Sequence, residues 1–104
     1  MPKTKLRELA KGQDCLVRIP GICKNDRDTV ILAHINERSL VGAGMGQKVP
    51  DIFGSRCCSA CHAEIDGRTK LSDYTRDELL IMHYQGMIRN INILLNEGLI
   101  KIEG

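Results

Sequence analysis

The longest regular pattern of apolar and polar positions lies in the C-terminal third of the chain. Leu80, Tyr84, Met87, Ile88, Ile91, Leu94 and Leu95 recur there at three- and four-residue intervals, which predicts a helix with one apolar face turned to the core. Thr75-Arg76-Asp77-Glu78 opens that helix as a capping box, because the Thr hydroxyl and the Glu carboxylate satisfy each other's orphan backbone donors. Its end is predicted near Gly98. Upstream, the rhythm shortens. Thr29-Val30-Ile31-Leu32-Ala33-His34-Ile35 is β-branched, apolar and short, the clearest strand in the chain, and Ile52 to Cys57 predicts a second. Cys58 to Arg68 carries the helix formers Ala60, Ala63 and Glu64, with Gly67 near its end. Lys5 to Lys11 predicts a short helix stopped by Gly12, a residue that takes the left-handed position without a Cβ penalty. Pro20-Gly21 and Asn25 to Asp28 are turns, and Gly42-Ala43-Gly44-Met45-Gly46 lies in a loop running to Pro50. Leu99 to Ile102 predicts a terminal strand. Helix, strand, Gly-rich loop, strand, helix and long helix in that order make a small α+β domain.

Composition changes this picture in one respect. The chain has 104 residues, room for a single domain, and its 42% hydrophobic and 27% charged residues are ordinary for a globular protein. Its aromatics are few: one Phe, two Tyr and no Trp. A core so poor in large side chains calls for a covalent or metal staple, and five Cys supply candidates. No apolar run is long enough for a membrane span, and the charged N-terminus is not followed by an apolar segment of the secretory kind. The expected setting is therefore a reducing cytoplasm, where paired Cys read as metal ligands rather than disulfides. The net charge of +2 says little, but Lys3, Lys5, Arg7, Lys11, Arg18 and Lys24 concentrate the basic excess in the first 24 residues. Such a segment suits a phosphate backbone, and equally a solvated helix.

Cys58-Ser59-Ala60-Cys61 places two thiolates one helical turn apart, able to fill two corners of a tetrahedral zinc site. Cys15 and Cys23, brought together by the Pro20-Gly21 turn, supply the other two corners; Cys57 is left over and is expected to be buried. A redox C-x-x-C would follow a thioredoxin-like strand, a context missing here. Adjacent residues on a helix point about 100° apart, so His62 leaves the face shared by Cys58 and Cys61. It shares another with Asp66, four residues on, which offers a second metal position or a plain surface hydrogen bond. His83, between Leu80 and Met87, is expected at the core edge or the surface.

Ala33-His34-Ile35 ending a strand, a Gly-rich loop, Pro50-Asp51 and Cys58-Ser59-Ala60-Cys61-His62-Ala63-Glu64-Ile65-Asp66 resemble, in this order, the HNH (His-Me finger, ββα-metal) endonucleases. Within them the chain is most similar to the small prophage-encoded nucleases of the YbcO type, from about Leu6 to beyond Asp66. The resemblance implies a ββα-metal core over residues 29–70, preceded by a basic helix and the first Cys pair (1–28) and followed by the C-terminal helix (71–104). It implies His34 as general base, His62 as ligand of a catalytic Mg²⁺ or other divalent cation, Asp66 as second ligand or orienter of His62, and Asp51 in the place of the family's middle Asn. An Asp after Pro50 is also an ordinary turn residue. Two departures stand out: Ala33 replaces an acidic ligand that many members carry before the base, and Asp51 replaces Asn, with Asn36 the weaker substitute.

Phosphate contacts are expected from Arg18, Arg38, Lys48, Arg56, Arg68 and Lys70. The function these readings predict is metal-dependent endonucleolytic hydrolysis of DNA by a monomer or homodimer with a structural Zn²⁺. The alternatives are a zinc-containing nucleic-acid-binding module without catalysis, and a zinc-stapled protein-interaction domain.

Overall fold

A computed structural model of the chain describes residues 5–35 and 49–101. Two short strands, β1 (Ile31–His34) and β2 (Gly54–Cys57), pair antiparallel with Ala33 opposite Ser55 and His34 opposite Gly54. Helix α2 (Ser59–Ile65) follows β2 after a single residue, which makes a ββα unit. The six-residue α1 (Lys5–Ala10) packs on β1, and the long α3 (Arg76–Asn96) lies against β2. Cys15, Val17, Ile19, Ile22, Val30, Ala33, Cys57, Cys58, Cys61, Ile65 and Leu79 form one buried cluster, so nearly half of the sheet–helix core is sulfur and small side chains.

Both strands are shorter than their apolar runs. Thr29 belongs to a 3₁₀ turn over Arg27–Thr29, and its hydroxyl accepts from the backbone N–H of Ser59 at 3.0 Å. That bond satisfies one of the orphan donors at the start of α2 from a residue 30 positions upstream. Pro50 starts a second 3₁₀ turn, Asp51–Phe53, before β2 begins. Helix ends follow local chemistry closely. Thr75 and Glu78 form both bonds of the capping box, at 3.1 and 2.8 Å. Gly67 and Gly98, with φ of +76° and +71°, each follow a helix in a Schellman motif. The second of these corrects the predicted terminal strand. Leu99 N–H bonds Leu94 O at 2.9 Å, so Leu99 and Ile100 wrap the end of α3; Ile102 lies outside the described residues.

The larger correction concerns the face of α3. Leu79, His83, Gly86, Asn90 and Leu94 are the buried positions, whereas Ile81 and Ile88 are 55% and 61% exposed and Leu80, Tyr84, Met87, Ile91 and Leu95 are half-buried. The helix is turned from its apolar stripe toward a row containing His, Gly and Asn. The reason is polar: His83 Nε2 reaches Ala33 O at 2.9 Å, and Asn90 Nδ2 donates to Gly54 O at 3.4 Å. A buried polar group left without a partner costs about 1–3 kcal/mol, comparable with burying one more aliphatic side chain. Gly86 permits the approach, since a Cβ there would lie 2.6 Å from Ser55 Oγ and 3.0 Å from Val17 Cα.

Candidate metal centre and active site

Cys15 and Cys23 come from the loop between α1 and the first 3₁₀ turn, Cys58 caps α2, and Cys61 lies in its first turn. Gly21, with φ of +79°, turns the first pair back on itself, and Cys23 N–H bonds Ile19 O at 2.9 Å. The four sulfurs all lie within 4.8 Å of one another, and Cys23 and Cys58 are 4.0 Å apart. At a Zn–S distance of about 2.3 Å, the edge of a tetrahedron is roughly 3.8 Å, so this donor set fits a structural zinc ion. The thiols also compete with one another for protons. Hydrogen bonds from Cys57 and Cys61 hold Cys15 far below its ordinary value, while bonding to Cys15 pushes Cys61 up and burial pushes Cys23 up to about 11. A dication removes that conflict by letting all four ionise. Cys57 stands beside the cluster, buried as expected. Its bond to Cys15 and its burial raise its pKa, and its thiol donates to Cys58 O at 3.5 Å.

At the C-terminal half of α2, Leu32, Ala33, His34, His62, Ile65, Asp66 and Arg76 line an open pocket of about 520 Å³. His34 is the last residue of β1, and its Nε2 lies 2.6 Å from Asp51 Oδ1. A carboxylate accepts, so Nε2 carries a proton, and in the neutral ring the lone pair lies on Nδ1. Arg7 of α1 donates from Nε to the same oxygen at 3.2 Å. Burial pushes the Asp51 carboxyl up, but the bonds from His34 and Arg7 outweigh it and hold the pKa below its ordinary value. Asp51 Oδ2 is buried without a hydrogen-bond partner among the described residues.

His62 Nε2 and Asp66 Oδ2 lie 3.2 Å apart, the i,i+4 pair the sequence places on one helical face. Two adjacent ligand atoms of an octahedral ion at about 2.1 Å are roughly 3 Å apart, so the pair fits two positions around a small hydrated dication. Ala33 lines the same pocket and offers no side-chain donor. The cations are distributed unevenly. Arg76, in the first turn of α3, lines the pocket and donates from Nη1 to Ile65 O. Arg68 is exposed and pairs with Asp66 at 3.4 Å, and Lys70 is exposed. Arg18, at φ +55°, sits in the Cys15–Cys23 loop with Nε on Cys15 O. Arg56 is buried in β2 at 6% exposure, which removes it from the cations available to a phosphate. Arg38, Lys48 and Asn36 lie outside the described residues.

Three residues escape the sequence reading. Arg7 belongs to the basic segment, but nothing local signals a partner 44 positions away. Arg76 carries a faint signal: a cation in the first turn of a helix opposes the macrodipole, so it serves something other than the helix. His83 is 2% exposed, deeper than the expected core edge, and burial lowers its pKa so that the ring is neutral.

The fold and these sites define a small α+β domain with a four-cysteine cluster able to hold a metal ion and a His/Asp pocket lined in part by the same helix. Residues 4–99 match the family model described as "Putative nuclease YbcO", and the chain belongs to that family. It is 45% identical over 98 residues to "Putative nuclease YbcO" of Escherichia coli (strain K12), covering 92% of this chain and 96% of the relative. The same figures hold for "Putative nuclease ybcO" of Enterobacteria phage 82. A solved structure, "Structure of a putative bacteriophage protein from Escherichia coli str. K-12 substr. MG1655", superposes with a TM-score of 0.73 at 39% identity, covering 90% of this chain and all of that one. No described helix is long and apolar enough to cross a membrane.

Proposed function

We propose that the protein is a metal-dependent endonuclease of the HNH type that hydrolyses phosphodiester bonds in DNA. The observation that carries this reading is the 2.6 Å pair of His34 and Asp51 at a pocket that also holds His62 and Asp66. With Nε2–H committed to Asp51, His34 Nδ1 takes the proton from a water as its oxygen attacks phosphorus. The Asp51 carboxylate fixes the ring and stabilises the imidazolium that results. His62 and Asp66 would hold a divalent cation, Mg²⁺ or a similar ion, whose chemistry would be charge neutralisation at the scissile phosphate and the leaving oxygen. Arg76 and Arg68 add positive charge at the pocket, and Arg76 is held by its bond to Ile65 O. Cys15, Cys23, Cys58 and Cys61 would hold a structural zinc, and through Cys58 and Cys61 they would fix the start of α2 and with it His62.

The test is cleavage of plasmid and linear DNA by the purified zinc-loaded protein with Mg²⁺ or Mn²⁺. His34→Ala is expected to lower the rate about 10²–10⁴-fold, the usual worth of a general base, with the fold and the bound zinc retained. A second reading, a nucleic-acid-binding module without catalysis, is favoured by the missing donor at Ala33. It predicts salt-dependent DNA binding with no cleavage under any metal.

A further inference from the structure

We propose that α3 is a positioning element for His34 and that His83 is the residue through which it acts. Ala33 O, the acceptor of His83 Nε2 at 2.9 Å, belongs to the peptide that joins Ala33 to His34. A carbonyl only accepts, so Nε2 carries a proton, and at 2% exposure the bond is shielded from water. Among the described residues the sheet has two strands, and His34 is the last residue of the first. A strand end of this kind has little lateral support of its own. The helix supplies it in register: His83 holds Ala33, Gly86 packs on Ser55, and Asn90 donates to Gly54 O. Ser55 and Gly54 are the register partners of Ala33 and His34, so three positions of one helix face address the two residue pairs that set the base. The plane of the Ala33–His34 peptide sets where the His34 side chain leaves the backbone. A shift of about 1 Å at a reacting group lowers rates by roughly 10²-fold. This also accounts for the burial of a polar row where the sequence offered an apolar one.

The inference rests on His34 being the general base, and its test separates the two. His83→Leu removes the donor; His83→Gln keeps an N–H within reach of the same carbonyl. In zinc-loaded protein, His83→Leu is expected to displace or broaden the His34 ring signals in ¹H–¹⁵N spectra, with His83→Gln leaving them in place. That readout needs no activity, and unchanged His34 signals in His83→Leu overturn the inference even if the protein cuts nothing. With active protein, His83→Leu is expected to lower kcat about 10-fold or more at unchanged KM for DNA, and His83→Gln to restore it to within about threefold. Equal losses in both variants, or wild-type kcat in His83→Leu, also overturn it. If His83→Leu fails to fold, Asn90→Ala, which releases the partner strand, decides. It should lower kcat at constant KM and shift the same ring signals; no change in either sinks the proposal. Cleavage at the wild-type rate by His34→Ala overturns the proposed function instead, while the ring signals still report on His83.

Discussion

The cysteine cluster and the His34 pocket share α2 and are built on opposite terms. The cluster is compact: four sulfurs lie within 4.8 Å of one another, three of them from buried residues, enough to fill all four corners of a tetrahedral ion. The pocket is open, with side chains of His34, His62 and Asp66 exposed by 25%, 27% and 29%, and His62 and Asp66 near enough to share a cation. That contrast separates a site that holds a fold from a site that leaves coordination positions to water and phosphate. It also reveals a hierarchy. Cys58 caps the helix that carries His62, so the pocket depends on the cluster.

The sharpest way to break this comparison is to remove one sulfur. Cys58→Ser is expected to abolish folding, since structural zinc supplies about 10–16 kcal/mol in small domains; circular dichroism and zinc content check it. Cys57→Ser, beside the cluster, should keep one zinc per chain. A zinc-free Cys57→Ser protein would assign the cluster to the wrong four residues. Next in size, Asp66→Ala should leave the fold and the zinc intact and raise the Mn²⁺ concentration needed for half-maximal cleavage by roughly 10–100-fold. An unchanged Mn²⁺ titration would show that Asp66 pairs with Arg68 and nothing more.

A third effect concerns the segment joining the two regions to α3. The buried Glu64 carboxylate accepts from the Thr69 and Ser72 hydroxyls and from the backbone N–H groups of Leu71 and Ser72 at 2.6–3.1 Å. Bonds from Ser72 first, then Thr69, hold its pKa at about 2 against an ordinary 4.5. A depressed carboxyl stabilises the fold above the unfolded value and loses that contribution as pH falls from about 4.5 toward 2. Glu64→Gln should therefore melt lower than the parent at pH 7, and the gap should narrow as the pH approaches 2. A gap independent of pH would mean that packing, not charge, ties Glu64 to the loop. The smallest effect is expected at Arg7, whose side chain is 45% exposed. Arg7→Ala should change cleavage only a few-fold and stability by less than about 1 kcal/mol. A larger loss of cleavage would place Arg7 on DNA as well as on Asp51.

Local chemistry was legible along the whole chain. The capping box at Thr75, the glycine stops at Gly67 and Gly98, the Pro20-Gly21 turn, each of the two cysteine pairs and the His62–Asp66 pair all follow from residue types within about eight positions of one another. Over that range, backbone geometry and side-chain reach leave few alternatives. What lay beyond that range was decided by packing. Asp51 meets Arg7 44 positions away and His34 17 away, and His83 meets Ala33 across 50. The apolar periodicity of α3 identified a helix correctly and its buried face incorrectly. Hydrophobic spacing measures only which residues favour burial, whereas the sheet it covers presents two carbonyls and a serine. Once the strands had paired, unsatisfied polar atoms at the end of the hairpin set the rotation of the helix, a demand that exists only in three dimensions.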